Sequence, residues 1–135
     1  MTPAPKPRLL YVLHQYGDPG GCELQTQHLV NELSGTYHIA IAYLDRTSRI
    51  VLRGADGTQV TYPADPAVFP LTPYRQPGTE QGMASLLREF RPELIHIQNF
   101  VFWPLSLIDQ LMSTGARTVV TLYDYYAITP IYTLQ

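Results

Sequence analysis

The sequence predicts a Rossmann-like α/β fold: a parallel sheet with helices on both faces and one β-hairpin inserted. Three observations predict it. Short apolar runs of strand length alternate with amphipathic segments of helical period. The runs 9–13 (LLYVL) and 37–44 (YHIAIAYL) are apolar almost throughout rather than at every second position, as in strands buried on both faces. The pair Gly20-Gly21 stands where the first strand turns into the first helix, as in many binding architectures.

The elements follow in order. After a proline-rich start, read as a disordered tail over residues 1–7, the run 9–13 is the first strand. A helix begins near Glu23, carries Cys22, Thr26, Leu29, Val30 and Leu33 on one side, and stops at Ser34-Gly35. Residues 37–44 form the second strand. The runs 49–53 and 58–62 flank Asp56-Gly57, a strong hairpin signal. Residues 63–78 contain five prolines and no clear period, so they read as a surface loop around Val68-Phe69. A helix from about Thr79-Glu80 places Met83, Leu86, Leu87 and Phe90 at i, i+3, i+4 and i+7, and Arg91-Pro92 ends it. Residues 94–97 (LIHI) are the next strand. Pro104 opens a third helix with Leu107, Ile108, Leu111 and Met112 on one face and Gly115 beyond its end. Residues 117–122 (RTVVTL) are the last strand. Right-handed crossovers then bring ligands to the carboxyl ends of the strands.

Composition narrows the function classes. A chain of 135 residues is one domain's worth, and a net charge of -2 gives no electrostatic footprint for nucleic acid. The lone Cys22 excludes an internal disulfide and a typical structural zinc site, so no metal and no cofactor are expected. Nothing reads as a signal peptide or a bilayer-spanning run. The expected compartment is the cytoplasm, with at most a peripheral membrane association in the full-length protein. Twelve prolines and ten tyrosines imply irregular connections and many rings suited to stacking on ligands.

The strand ends offer His14-Gln15-Tyr16, Asp45-Arg46, Gln98-Asn99-Phe100 and Tyr123-Asp124-Tyr125-Tyr126, which converge on one rim with Gly20-Gly21. Gly20 and Gly21 fit a ligand cradle as well as turn chemistry. Glu23 suits a ligand hydroxyl and equally suits the dipole of the first helical turn. His14 fits binding or plain exposure. His96, flanked by Ile95 and Ile97, fits a structural histidine better than a catalytic one. Asn99 and Asp124 sit just past strands, where capping competes with function; the rings of Tyr123, Tyr125 and Tyr126 tilt Asp124 toward a sugar site. Phe100, Phe102 and Trp103 fit packing better than stacking on a ligand, and Cys22 reads as a small buried side chain.

The segments 9–16, 20–23 (GGCE), 93–99 (ELIHIQN) and 121–126 (TLYDYY), in this order and spacing, resemble the amino-terminal half of retaining glycosyltransferases of family 4, which have the GT-B fold. The resemblance covers nearly the whole chain. It implies that residues 8–135 form an acceptor-side domain, incomplete and truncated before the carboxyl-terminal domain that binds most of the nucleotide-sugar donor. Catalysis in that family occurs in the cleft between the two. By resemblance, Asp124 and Tyr123 are the catalytic candidates, and Gly20, Gly21, Glu23, His14, His96, Asn99 and Tyr125 the substrate-binding ones. The implied partners are a sugar or lipid-linked acceptor and, through the missing domain, the donor. Two positions depart from the family, which commonly has His at Tyr123 and often at Gln98. A tyrosine titrates near ~10 and replaces an imidazole poorly near neutral pH.

Two other readings remain. In a dinucleotide-binding domain Asp45 would take the ribose hydroxyls, although Gly17, Gly20 and Gly21 do not make G-x-G-x-x-G and Pro19 interrupts the turn. In a non-catalytic interaction module, an unfinished sheet would expose an edge and an apolar face and favour self-association. As a fragment, the isolated chain is expected to lack sugar-transfer activity.

Overall fold

A computed structural model describes residues 4–16, 20–45, 47–66 and 73–121. The elements are β1 (Arg8–Val12), α1 (Gly21–Leu33), β2 (His38–Leu44), β3 (Arg49–Gly54), β4 (Gln59–Pro63), α2 (Pro77–Phe90), β5 (Leu94–Ile97), α3 (Ser106–Met112) and β6 (Arg117–Val120). They form one six-stranded sheet in the order β4-β3-β2-β1-β5-β6. Strands β2, β1, β5 and β6 run parallel, and β3 and β4 add to β2 as an antiparallel extension. The sheet is therefore mixed, α/β and compatible with a Rossmann-like arrangement.

Period-two alternation divides the core. Leu9, Tyr11 and Leu13 of the first strand and its exit lie with Ile39, Ile41, Tyr43 and Val51 on the face that α1 covers through Cys22 and Val30. Leu10 and Val12 lie with Ala40, Ala42, Ile95 and Ile97 on the other face, beneath Met83 and Leu86 of α2 and Leu107 and Leu111 of α3. Each fully buried Leu or Ile contributes about 1.5–3 kcal/mol. In α1 the buried hydroxyl of Thr26 donates to the Cys22 carbonyl at 2.9 Å, so this polar group enters the core already satisfied. Ahead of β1, Lys6 Nζ donates to the Ser34 carbonyl at 3.1 Å and the Pro7 carbonyl accepts from the His38 amide at 2.9 Å.

The β3–β4 hairpin forms where Asp56-Gly57 predicts it, with Gly57 at φ 90°. Asp56 Oδ1 accepts from the Thr58 hydroxyl at 2.7 Å and from its amide at 3.1 Å, which holds this carboxyl below its usual range. Helix α2 starts at Pro77, earlier than Thr79-Glu80, because a proline in the first turn has no amide to leave unsatisfied. It ends with Arg91 in the left-handed region at φ 55° ahead of Pro92.

One expectation needs correction. On α3 only Leu107 and Leu111 of the four predicted face residues are buried, whereas Ile108 is 36% and Met112 61% exposed. Phe100 and Trp103 from the preceding loop join Leu107 and Leu111 in the core beside α3. Helices cover both faces of the sheet as expected, α1 alone on its face among the described residues, and at the edge strand β6 Val119 and Val120 are 48% and 54% exposed. Among the described residues no helix is long and apolar enough to cross a membrane.

Candidate functional site

The strand order places the site. From β1 the chain crosses through α1 to β2 on one side, and later through α2 to β5 on the other. The carboxyl ends of β1 and β5 therefore flank a switch point, where the departing loops separate and leave a crevice. Helix α1 begins at this rim. Gly20 is its N-cap, in extended backbone with no side-chain cap, and its carbonyl accepts the Leu24 amide at 3.0 Å.

The two glycines do different things. A Cβ on Gly20 would collide with Oε2 of Glu23, so the missing side chain makes room for that carboxylate. At Gly21 an added Cβ would meet nothing within 4 Å. Glu23 turns inward and is 2% exposed, with Oε1 3.3 Å from His14 Nε2. That spacing makes an ion pair when His14 is protonated, without a well-directed hydrogen bond. The first-turn carboxylate also gains from the helix dipole.

The loop after β5 folds over the end of β1. The amides of Gln98 and Asn99 both reach the Val12 carbonyl, at 2.9 and 3.4 Å, and the Trp103 indole donates to the Leu13 carbonyl at 2.7 Å. Asn99 Oδ1 accepts the Val101 amide at 2.9 Å, the turn role that competes with binding at this position. Phe102 sits at φ 74° with its ring 6.5 Å from His14, while Phe100 and Trp103 are core. His96 lies lower on β5, half-buried, its ring 5.2 Å from Tyr11 and its Nε2 2.7 Å from the Thr121 hydroxyl. Burial holds its pKa below the ordinary histidine value, as befits a structural imidazole.

Sequence reading put Gln98 at a strand end on the rim but left it out of the substrate-binding candidates. It is 1% exposed, and both its Nε2 and Oε1 are buried without a hydrogen-bond partner among the described residues. Extending the alternation of β5 one step past Ile97 would have found it, because Gln98 continues the row of Leu94 and His96 on the face of α1. The rim thus gathers His14, Glu23, Gly21, Gln98 and Asn99. Tyr123, Asp124, Tyr125 and Tyr126, like Arg46, lie outside the described residues. Asp45, the acid of the dinucleotide reading, spends its Oδ1 on the amide and hydroxyl of Thr47, both at 2.9 Å, and on the Arg49 amide at 3.0 Å.

A cavity of about 310 Å³ lined by His38, Phe90, Lys6 and Asp56 lies at the opposite end of the parallel strands, away from the rim chemistry. Among the described residues no group of three or more His, Cys, Asp or Glu is arranged to hold a metal ion. Compared with known protein families, characterised proteins and solved structures, the chain shows no significant match.

Proposed function

We propose that this chain is the amino-terminal, acceptor-binding part of a retaining glycosyltransferase of family 4, acting on a nucleotide-sugar donor held by a second domain. The observation that carries the reading is the switch point between β1 and β5, with a glycine N-cap, an inward carboxylate and a histidine on one side and, on the other, a buried carboxamide without a partner among the described residues. A hydroxyl-bearing acceptor suits such a set. Hydroxyls donate and accept at once, and the rim offers carboxylate, imidazole and carboxamide groups that match both roles.

In this reading the acceptor lies across Gly21, His14 and Glu23, with Asn99 shaping the far wall. Asp124 and Tyr123, carried over by resemblance, stand beside the transferred sugar. The donor comes from the other half, so the isolated chain is inactive. Turnover of a nucleotide sugar by this chain alone would overturn that division of labour.

Gly21→Val in a full-length enzyme tests the acceptor path. An added Cβ at residue 21 would meet nothing within 4 Å, so with the melting temperature unchanged a loss reports the approach of ligand rather than misfolding. The expected result is a rise in acceptor KM of roughly tenfold with the same melting temperature, the size of one or two lost hydrogen bonds. Unchanged steady-state kinetics would mean that the turn is structural only.

A further inference from the structure

Beside α1, on its face of the sheet, a second cavity of about 470 Å³ is lined by Tyr16, Gln27, Asn31, Ile41, Arg53 and Gly54 among others. Neither His14, Glu23 nor Gly21 lines it. Arg53 comes from β3, in register with Ile41 and on the same face as Val51, and is half-buried. Its guanidinium carbon stands 5.7 Å from the centre of the Tyr16 ring, which in turn packs 5.9 Å from Tyr43. Among the described residues the ion pairs are Arg8 with Glu93, His14 with Glu23 and Arg75 with Glu80, and none of them engages Arg53.

A half-buried guanidinium with no carboxylate partner among the described residues keeps N–H donors available to an anion. The cation–π contact supplies only part of what a counter-ion would. Around the guanidinium stand three polar side chains. Burial raises the Tyr16 phenol above its usual range, with Arg53 and Gln27 pulling the other way, so the phenol stays a neutral donor. Gln27 and Asn31, one helical turn apart on α1, each offer an amide donor and a carbonyl acceptor. Such a pair matches hydroxyl groups, whereas the planar guanidinium fork matches the oxygens of a phosphate. The volume exceeds what inorganic phosphate alone would fill and lies within the range of small-molecule sites.

We propose that this cavity binds a small hydroxylated phosphate ester, with the phosphate on Arg53 and the hydroxyls on Gln27 and Asn31. This site is separate from the rim and does not depend on the transferase reading. Glycerol 3-phosphate is the probe, titrated into the isotopically labelled full chain and followed by amide chemical shifts, with glycerol, acetate and inorganic phosphate in parallel. The expected result is saturable shifts of the Gln27 and Asn31 side-chain amides and of the Gly54 and Ala55 backbone amides. Inorganic phosphate binds more weakly, and glycerol and acetate do not bind.

Arg53→Gln weakens glycerol 3-phosphate by roughly tenfold or more, and Arg53→Lys retains part of the affinity. Asn31→Leu, on an exposed position of α1 that the fold does not need, weakens it by roughly threefold or more. Equal affinity in the Arg53→Gln and Asn31→Leu variants would overturn the proposal. So would shifts scattered away from the cavity, acetate binding as tightly as the ester, or phosphate binding as tightly as the ester.

Discussion

A hydrogen atom is all the side chain that position 82 has room for. Gly82 of α2 crosses β4 so closely that an added Cβ would overlap the Pro63 carbonyl oxygen and press on Ile50 Cδ1. The obstacle is backbone, which cannot rotate away as a side-chain tip does, so α2 would have to lift off the sheet. Gly82→Ala is therefore expected to destabilise the chain by about 1–3 kcal/mol despite the better helix propensity of alanine, read as a lower urea midpoint. A midpoint equal to or above that of the parent chain would show that the crossing has slack. The sequence gives no hint of this, since a glycine inside a helical period looks only like a weak position. Gly20 carries a related lesson. Its pairing with Gly21 marks the turn correctly, but only coordinates separate the glycine that clears space for Glu23 from the one that faces open space.

Secondary structure on this chain is legible where it is local. The hairpin at Asp56-Gly57, the strand at residues 94–97 and the core stripe of Met83 and Leu86 are written in short-range periodicity. What holds α2 in place is not local. Asp65 Oδ2 accepts the amides of Gly78 and Thr79 at 2.8 and 3.4 Å, and the Asp65 amide donates to the Thr79 hydroxyl at 2.9 Å. This is a reciprocal cap supplied from 13 residues upstream of Gly78, and no search for a capping residue just before the helix would find it. Gly78 follows from it, because a Cβ there would run into the Asp65 carboxylate. Asp65→Ala removes the acceptor for two amides of the first turn and is expected to cost about 0.5–2 kcal/mol, with Asp65→Asn losing less. Faster amide exchange confined to residues 78–80 in the Ala variant would mark a lost cap, and equal stability of all three chains would refute the assignment. The misjudged outer half of α3 has the same origin: Trp103 and Phe100 reach the core from a loop whose path no periodicity encodes.

Across the whole molecule, the α/β alternation with its inserted hairpin was legible because it is written in local periodicity, whereas the strand order and the wall of the site formed by Gln98 depend on long-range crossovers and on a loop closing over β1. The same long-range burial sets how stability responds to pH. His96, half-buried on β5, has its pKa depressed by desolvation, so the unfolded chain binds more protons as pH falls below the ordinary histidine value of 6.5. Its contribution is complete above that value and is lost as pH drops through the folded pKa. Tyr62, on β4 at the other side of the sheet, is pushed up to about 12 by burial and by its hydrogen bond to the Glu89 carboxylate. The unfolded chain then releases its proton first, so this contribution is whole below the ordinary tyrosine value of 10.0 and is lost as pH rises toward about 12. The two groups lie far apart on the sheet and should act independently. Urea midpoints are expected to fall from about pH 7.5 to about pH 5.5 and again above about pH 10, with His96→Gln flattening only the acid limb and Tyr62→Phe only the alkaline one. An acid limb as steep in His96→Gln as in the parent chain would remove His96 from the account, and an unchanged alkaline limb in Tyr62→Phe would do the same for the tie between β4 and α2.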